Sequence, residues 1–556
     1  MNRSLKAGII AACFIFSAGM LHTHTTGSYF PGLPVAVIIS SALLYVVMYV
    51  NSYSLVIGVI VFTGISVLYR VYLFISPESM LRLDPDAHAV RSQVIVQTGH
   101  LSGIVPDFYH DAPIFHILGS GTALITGLPI DSAYVVFPIV VGISMSVYAA
   151  VLAKCVSSSS KAAVAAAAIG AVSASTIKYS IGPIPMTLAA MYLACSVMTT
   201  MLYRRNTGGR YLLILILCSI VSALTHKIPI LLLVFIFGVL AVYTRVYSNA
   251  SGEMVPTEAS LFLILGISLL ALQWIYLADF TRAAVRLIYG SLLSSELSSH
   301  SLQPYPSAAI FIDPSVFVKV RNLSYYFVST GFAAIVGISL FRHADNRNVR
   351  IIQAAALATV SITLPSLALG TSPGFKRVFV YGSIFVAVLI AIGVVKISTS
   401  SIPNAKMVSI AVVLVILIVN PLSVVATPDF PGTHRTYFTQ KEVEGKHFMN
   451  DRVPEKVYLD MYYGDEVFNF SRAASGDSQY QRTVPDVERY PTLMSKELTE
   501  GTLTDRNYPY IGIRTNVVIY RLKGGRYALT WSPQQETNRT HHRIYSNGGT
   551  TLYRAT

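Results

Sequence analysis

The chain has 556 residues, of which 53% are hydrophobic and 12% are charged, and its mean hydropathy is +0.57. This composition excludes an ordinary soluble protein of the same length, because a surface that faces water needs more charged residues. The formal net charge of +14 does not indicate nucleic acid as a partner, since the Lys and Arg residues are spread over many short connectors and form no basic stripe with interleaved aromatics. The sequence therefore predicts a polytopic membrane protein.

The apolar segments recur in blocks of about 18 to 22 residues, each long enough to cross about 30 Å of hydrocarbon as a helix. Strands of a membrane barrel would be shorter and would alternate in polarity. We predict about thirteen transmembrane helices, at 5–21, 34–51, 54–75, 131–153, 162–178, 184–202, 211–225, 228–245, 259–277, 325–341, 350–369, 377–396 and 407–426. Residues 114–127 are predicted to form an amphipathic or partly inserted helix.

The distribution of Lys and Arg predicts the orientation of these helices. Most of the connectors that carry two or three of these residues fall on one side, at 1–6, 154–161, 204–210, 342–350 and 396–406. The short connectors 22–34 and 179–185 on the other side carry none, although Lys227, Lys376 and Arg377 also fall there. By the positive-inside rule we expect a multi-pass protein of the cell membrane whose N-terminus is cytoplasmic.

Three longer polar segments then fall on the outer side. Residues 76–130 and 278–323 are external loops of a transmembrane part that covers 1–426. The remainder, 427–556, is rich in Tyr, carries both charge signs, and contains short alternating runs at 516–525 and 527–532 that are typical of strands. We expect it to be a soluble extracytoplasmic domain of α/β or mainly β structure, since about 130 residues are enough for a core.

The four cysteines are Cys13, Cys155, Cys195 and Cys218, and all lie in or at the ends of apolar segments. None lies in the polar C-terminal part, where an oxidising environment would favour disulfides. The sequence therefore predicts no disulfide framework.

The first external loop concentrates acids and histidines in a chain that is otherwise short of acids. The two stretches DPDAH and FYHDAPIFH supply Asp84, Asp86, His88, His110, Asp111 and His116. A D-x-D triplet is common by chance, and its structural interpretation is a helix cap or a turn, with the histidines simply at the membrane interface. Its position between two apolar segments favours chemistry on a lipid-borne substrate at the membrane surface.

The runs DPDAHAVRSQVIVQTGHL and DFYHDAPIFHILGSGTALITGLP resemble the first external loop of the GT-C superfamily of membrane glycosyltransferases. The Lys-Arg pair at 376–377 and the C-terminal RIYSNGGTTLYR resemble archaeal members, and the architecture is similar to that of oligosaccharyltransferases and protein mannosyltransferases. The resemblance covers about residues 80–130 and is architectural elsewhere. It implies an inverting enzyme that moves a sugar from a polyprenyl-phosphate donor to a glycan, lipid or protein acceptor.

That reaction needs a carboxylate to take the proton of the acceptor hydroxyl. We expect Asp84 or Asp86 to be this base, held on a bend because Pro85 disfavours helix at the preceding residue. Asp86 and His88 would then face the same way, and His110 with Asp111 would form a second arm of the catalytic site. A divalent ion, Mg²⁺ or Mn²⁺, would be held by Asp86 and Asp111.

The leaving phosphate needs cations. Lys376 and Arg377, at the outer mouth of a late helix, are the favoured candidates, followed by Arg282 and Arg286, which lie one turn apart. His226 lies at the end of a predicted span on the same side. It is expected to contact the sugar donor, together with His88, His110 and His116. Anchoring to lipid head groups is the structural alternative for each cation.

Two other classes remain as alternatives. A polytopic transporter, or a flippase of lipid-linked glycans, would show the same spans and charge pattern, but coupled transporters usually keep ionisable residues at mid-membrane depth. An oligosaccharyltransferase is disfavoured, because its Trp-Trp-Asp-Tyr-Gly motif has no counterpart around the two tryptophans, Trp274 and Trp531, and the stretch at 460–466 is a loose match.

Overall fold

The structure is a computed structural model. It describes residues 3–26, 32–51, 54–77, 79–81, 83–104, 108–206, 208–251, 257–277, 308–312, 316–341, 347–368, 375–424, 437–453, 457–465, 497–503, 508–515, 517, 519–522 and 525–556. Arg282 and Arg286, two of the predicted phosphate ligands, lie outside these residues.

The transmembrane part is helical. In the first half of the chain the helices are α1 (Arg3–Thr26), α2 (Gly32–Asn51), α3 (Leu55–Ile75), α4 (Leu83–Thr98), α5 (Phe108–Asp111), α6 (Ile114–Thr126), α7 (Ile130–Ala133), α8 (Val136–Ser157), α9 (Ser160–Ala171), α10 (Ala174–Ser180), α11 (Pro185–Asn206) and α12 (Gly209–Ala223). Then follow α13 (Pro229–Ser251), α14 (Thr257–Ala271, extended by a π-helical stretch Leu272–Leu277), α15 (Val316–Phe341), α16 (Arg347–Ala368), α17 (Phe375–Ser398) and α18 (Ala405–Val424).

Within the described residues, eight helices are long and apolar enough to cross a membrane: α1, α2, α3, α8 with the preceding turn α7, α11, α15, α17 and α18. The pair α9 and α10 passes the same test together, bent by 45°. Helices α6, α12, α13 and α14 are apolar but shorter. Every predicted crossing coincides with a helix, so the predicted class of a polytopic helical membrane protein is confirmed.

Helix α17 is the central element of this bundle. It packs against α8, α9, α11, α15, α16 and α18. Its apolar residues are buried along nearly its whole length, from Val378 to Val394. A helix that is buried on all sides has apolar residues on all sides, and α17 has such a sequence. The first turn of α17 carries Lys376 and Arg377, so this packing holds both cations at one end of the bundle.

The bend between α9 and α10 is filled by a buried polar network. Arg70 of α3 is fully buried and donates from Nη1 to the carbonyl oxygen of Ala171, the last residue of α9, at 2.6 Å, and from Nη2 to Thr176 Oγ1 at 3.0 Å. The N–H of Ala174, which opens α10, donates to Asn420 Oδ1 of α18 at 2.8 Å. Both broken ends therefore receive side-chain partners, as backbone groups in an apolar surrounding require.

The C-terminal part contains two small sheets and helices α19 (Gln440–Arg452), α20 (Met461–Asp465) and α21 (Pro533–Thr540). The strands are β1 (Ala309–Phe311), β2 (Val457–Tyr458), β3 (Tyr510–Arg514), β4 (Tyr520–Leu522), β5 (Gly525–Leu529), β6 (His541–Ser546) and β7 (Thr550–Ala555). One sheet has the order β1-β5-β4 and the other β2-β3-β7-β6, and among the strands of the described residues the β2–β3 pair is parallel and the others are antiparallel. Mixed α/β structure in this region was one of the two predicted classes.

A buried ion pair holds the larger sheet together. Arg514 of β3 donates to both carboxylate oxygens of Asp460, from Nε at 2.8 Å and from Nη2 at 2.7 Å, and Glu442 of α19 lies 3.9 Å from Nη1. Burial lowers the pKa of Arg514, but the two carboxylates outweigh it and the net effect is to raise that pKa. This bidentate geometry is the one in which a buried ion pair is compensated for its lost hydration.

Among the described residues, the C-terminal part contacts the segment after α3 and strand β1. The Phe438 N–H donates to Ser79 Oγ, just after α3, at 2.7 Å. Strand β1, which lies within the predicted external loop 278–323, pairs antiparallel with β5, with Ala309 opposite Leu529. The first contact follows α3 directly and so lies next to the loop that holds the acid and histidine cluster.

Candidate functional site

The Asp-Pro-Asp stretch forms the first turn of α4. Asp84 and Asp86 both lie in this turn. The predicted bend at Asp84 is therefore wrong, because a proline is tolerated in the first helical turn, where its missing N–H has no intrahelical partner. Carboxylates are also favoured there by the positive end of the helix dipole. The stretch is therefore the start of a helix, which was the alternative structural interpretation of the sequence.

The helix separates the two carboxylates. The Asp84 side chain is 52% exposed, whereas Asp86 is 1% exposed. Asp86 and His88 are two residues apart, a spacing that places them on different sides of a helix, and both are buried. The expectation that these two side chains face the same way is therefore not met. Asp84 is the carboxylate that an acceptor in solution can reach.

Asp84 pairs with Arg377 across 293 positions of sequence. Arg377 Nη2 donates to Asp84 Oδ2 at 2.6 Å, and the side chains are 46% and 52% exposed. The first turn of α17 therefore lies against the first turn of α4. A carboxylate of the predicted first external loop contacts a cation at the start of a late helix. The interpretation of the sequence as a membrane glycosyltransferase requires a carboxylate and a cation next to each other.

Two histidines lie behind this ion pair. His88 Nδ1 and His116 Nε2 are 3.0 Å apart, both rings are buried, and Tyr109 packs edge-on against His88 with ring centroids 4.9 Å apart. Tyr134 donates from its hydroxyl to the His88 carbonyl oxygen at 2.8 Å. These contacts tie α4 to α6 and α7. They account for the burial of two residues that the sequence proposed as donor ligands.

The third histidine, His226, comes from the turn between α12 and α13. Its Nδ1 lies 2.9 Å from the hydroxyl of Tyr381, which is one helical turn after Arg377 on α17. Gln273 donates from Nε2 to the His226 carbonyl oxygen at 3.1 Å. The Ile114 N–H donates to the Leu224 carbonyl oxygen at 3.3 Å, so the start of α6 lies beside this turn. His226 therefore belongs to the same end of the bundle as Asp84 and Arg377.

The electrostatics of the three histidines confirm that they share a positive environment. Burial is the largest cause that lowers the pKa of His88 well below its usual range, followed by His116, Arg91, His226 and Arg377. The pKa of His226 falls to about 3, first by burial and then by Lys227 and Arg377, and that of His116 falls to about 3 by burial and Arg91. All three rings are neutral at pH 7 and surrounded by cations.

His110 and Asp111 form a separate pair. His110 Nδ1 and Asp111 Oδ1 are 2.9 Å apart on α5, and both side chains are partly exposed. Lys376 is half-buried at the mouth of α17 and lies within electrostatic reach of Arg526 in β5. The predicted second arm is thus a local pair of neighbouring residues, and Lys376 faces the C-terminal part.

The residues present do not fit the predicted divalent metal ion. Among the described residues, no group of three or more His, Cys, Asp or Glu side chains is placed to hold a metal. Asp111 is engaged by His110, and Asp84 by Arg377. The pair Asp86 and Asp111 therefore gives no metal site here, and no step below uses one.

Four residues of this site were not predicted from the sequence: Arg91, Tyr109, Tyr134 and Tyr381. The spacing in the sequence could have indicated Tyr381, since it follows Arg377 by four positions and so lies on the same face of the helix. Arg91 had the same signal, three positions after His88, and its guanidinium lies 5.2 Å from the centre of the Tyr109 ring. The two other tyrosines are placed by packing between helices, which the sequence does not display.

The site can bind an anion beside a carboxylate. Arg377 and Arg91 supply positive charge, and Lys227 lies 5.5 Å from the centre of the Phe108 ring on the same side. Neutral imidazoles and tyrosine hydroxyls supply further hydrogen-bonding groups. Such a set suits a phosphate group and an adjacent hydroxyl.

No family model matches the sequence. No curated protein matches it either. Similar solved structures include ArnT from Cupriavidus metallidurans in the apo state, at 12% identity over 89% of this chain and 97% of that chain with a TM-score of 0.47. The same protein bound to undecaprenyl phosphate matches with the same identity and coverage and a TM-score of 0.48.

The Archaeoglobus fulgidus oligosaccharyltransferase in complex with Zn and sulfate is 13% identical over 89% of this chain and 73% of that chain, with a TM-score of 0.46. The ligands named for the three structures belong to those proteins.

Proposed function

We propose that the protein is an inverting membrane glycosyltransferase that transfers a sugar from a polyprenyl-phosphate donor to a glycan, lipid or protein acceptor on the outer face of the membrane. The observation that carries the proposal is the contact between Asp84 and Arg377 at 2.6 Å. One partner can accept a proton and the other can hold a phosphate, and the reaction needs both groups within reach of one sugar. The GT-C resemblance of the first external loop supports the same reaction.

The reaction proceeds in one displacement. Asp84 takes the proton of the acceptor hydroxyl, whose oxygen bonds to the anomeric carbon on the side opposite the phosphate. The bond between that carbon and the phosphate oxygen breaks, and Arg377 holds the negative charge of the leaving polyprenyl phosphate. Arg377 donates to Asp84 Oδ2, so the guanidinium lies beside the carboxylate that takes the proton. The arriving phosphate competes for the guanidinium and so frees the carboxylate.

The exposure of the Asp84 side chain supports Asp84 rather than Asp86 as the proposed base. A base must come within about 3 Å of the hydroxyl it deprotonates. Asp86 is buried in the first turn of α4, so its proposed role is to position that turn. His226, which is half-buried, stays neutral and would donate or accept a hydrogen bond at the phosphate without adding charge. His88 and His116 are buried against each other, so their proposed role is to position α4 and α6.

The test uses the full chain in lipid nanodiscs with a panel of polyprenyl-phosphate sugars and of glycan, lipid and peptide acceptors. The readout is the formation of glycosylated acceptor together with free polyprenyl phosphate. We expect Asp84→Asn to lower kcat by about 10²- to 10⁴-fold, the usual contribution of a general base. Arg377→Gln should lower kcat by about 10²- to 10³-fold and raise KM for the donor.

Asp131→Asn is the matched control, because Asp131 is an exposed acid that opens α7 beside the same loop. It should keep the parental rate. Loss of the exposed Asp84 pair itself costs at most about 1 kcal/mol of stability, so the Asp84 variant is expected to fold. Parental rates for both Asp84→Asn and Arg377→Gln would refute the proposal.

A flippase of lipid-linked glycans is the second candidate, because the broken pair α9 and α10 is a feature of transporters. In transporters the broken ends bind substrate. Here the carbonyl end is occupied by Arg70 and the N–H end by Asn420. In the same nanodisc panel a flippase forms no glycosylated product, and in vesicles it moves intact donor between leaflets.

A further inference from the structure

Two cysteines meet between consecutive helices of the bundle. Cys195 lies in the middle of α11 and Cys218 in the second half of α12, and their sulfur atoms are 3.3 Å apart, with the Cys218 thiol as donor. Both are free and partly buried. No pattern in the sequence pairs these two cysteines, since they lie in two different apolar segments.

The surroundings distinguish the two sulfurs. Cys195 Sγ accepts from the Cys218 thiol, and the Thr199 hydroxyl beside it donates to the Cys195 carbonyl oxygen at 2.7 Å. A thiol that donates to a sulfur stabilises negative charge on the acceptor sulfur. Cys195 is therefore the sulfur that attacks an oxidant, and Cys218 is the thiol in place to follow.

We propose that Cys195 and Cys218 form a thiol–disulfide pair that responds to peroxide inside the transmembrane bundle. Hydrogen peroxide is the oxidant, since it is small and uncharged and can enter the bilayer. Cys195 Sγ attacks one peroxide oxygen, the O–O bond breaks, and water leaves after protonation, which gives a sulfenic acid. Cys218 Sγ then attacks Cys195 Sγ, the S–O bond breaks, and a second water leaves. The two thiols are oxidised by two electrons and one peroxide is reduced to two waters.

The geometry permits the final bond. An S–S bond is about 2.0 Å long, so the two sulfurs must approach by about 1.3 Å from 3.3 Å. The bond would join α11 to α12, whose last turn leads to His226. Oxidation would thereby restrain the turn that contacts Tyr381 at 2.9 Å. The inference concerns thiol chemistry and is independent of the proposed glycosyl transfer.

The experiment treats the full chain in nanodiscs with hydrogen peroxide, removes the oxidant, unfolds the protein, alkylates the remaining thiols and identifies the peptides by mass spectrometry. We expect a peptide pair linked through Cys195 and Cys218 that a reductant separates. In Cys218→Ser the sulfenic acid has no partner thiol, so dimedone should label Cys195. Cys13, exposed on α1, is the matched control and should stay alkylated.

Two outcomes would overturn the proposal. In the first, Cys195 and Cys218 of the native protein remain as alkylated as Cys13 after peroxide. In the second, dimedone labels Cys195 in the native protein as strongly as in Cys218→Ser, which would show that Cys218 does not react with the sulfenic acid. The first outcome is measured on the native chain alone, so it does not depend on the folding of a variant.

Discussion

Two buried histidines, His88 and His116, and the half-buried His226 lie at the same end of the bundle as the ion pair of Asp84 and Arg377, and their lowered pKa values make them respond to acid. The pKa of His226 and of His116 is about 3 in the folded protein, against about 6.5 in an unfolded chain. At pH values between about 3 and about 6.5, these histidines bind a proton only in the unfolded chain. The stability they contribute is therefore present above about pH 6.5 and is lost as the pH falls toward 3.

Thermal unfolding should show this dependence. We expect the unfolding midpoint to fall as the pH is lowered from about 7 to about 4. His226→Gln cannot be protonated and should reduce the slope by up to about 1.4 kcal/mol per pH unit. Ser222→Ala removes a buried polar group near the end of the same helix, α12, without removing a titrating one, so it should keep the slope. Equal slopes for His226→Gln and the parent would contradict the assignment.

At the scale of residues, the sequence could place Asp84 and Arg377 on one side of the membrane, because charge distribution sets the orientation of helices. It also placed His226 there. It could not tell that Asp111 pairs with its neighbour His110 instead of joining Asp84, since the partner of a side chain depends on where its helix points.

At the scale of elements, the bend between α9 and α10 depends on one buried guanidinium. Arg70 Nη1 donates to Ser66 Oγ at 2.6 Å and to the Ala171 carbonyl oxygen at 2.6 Å. The free carbonyls at the end of α9 carry the negative end of the helix dipole, which a cation stabilises. The sequence showed Arg70 near the outer end of a predicted span but gave no sign of the broken helix it supports.

Replacing Arg70 should destabilise the protein more than removing one of its hydrogen-bond acceptors. We expect Arg70→Met to destabilise the protein by about 1–3 kcal/mol for each buried acceptor left unpaired, which here includes Ala171. Ser66→Ala removes only one acceptor of the same guanidinium and should cost about 1 kcal/mol. Denaturation of both variants in detergent measures the difference. A smaller effect for Arg70→Met than for Ser66→Ala would exclude this role.

The start of α4 shows how local rules compete. A proline disfavours helix at the residue before it, and this rule predicted a bend at Asp84. The first turn of a helix is the exception, because the N–H groups there need no intrahelical partner. Asp84 therefore projects from a helix end, where the helix dipole favours its charge.

At the scale of the whole molecule, the C-terminal part is joined to the bundle by strand pairing. Strand β1 of the external loop is three residues long and extends the sheet of β5 and β4. The Thr530 N–H donates to the Ala308 carbonyl oxygen at 3.1 Å and the Ile312 N–H to that of Arg526 at 2.8 Å. The pair Ala309 and Leu529 thus occupies a position without mutual hydrogen bonds, where Cα atoms are about 4.5 Å apart.

A double cysteine variant tests this joint. Ala309→Cys with Leu529→Cys should form a disulfide, because the expected Cα separation lies in the range of about 4.4–6.8 Å that disulfides need. Cleavage by a protease between residues 312 and 525 should then leave the two fragments linked until a reductant is added. Ala309→Cys with Tyr520→Cys is the control, since β4 lies on the far side of β5. Equal linkage in both variants would disprove the strand order.

The sequence alone determined the membrane class, the positions of the helices and the presence of strands in the C-terminal part, because apolar length and alternation act within one segment. Only the tertiary structure decided which carboxylate is exposed, that Arg377 meets Asp84 across 293 positions, and that β1 joins β5. It also brought Cys195 beside Cys218. These contacts depend on how helices and strands from distant segments pack, and no local pattern of residues records that packing.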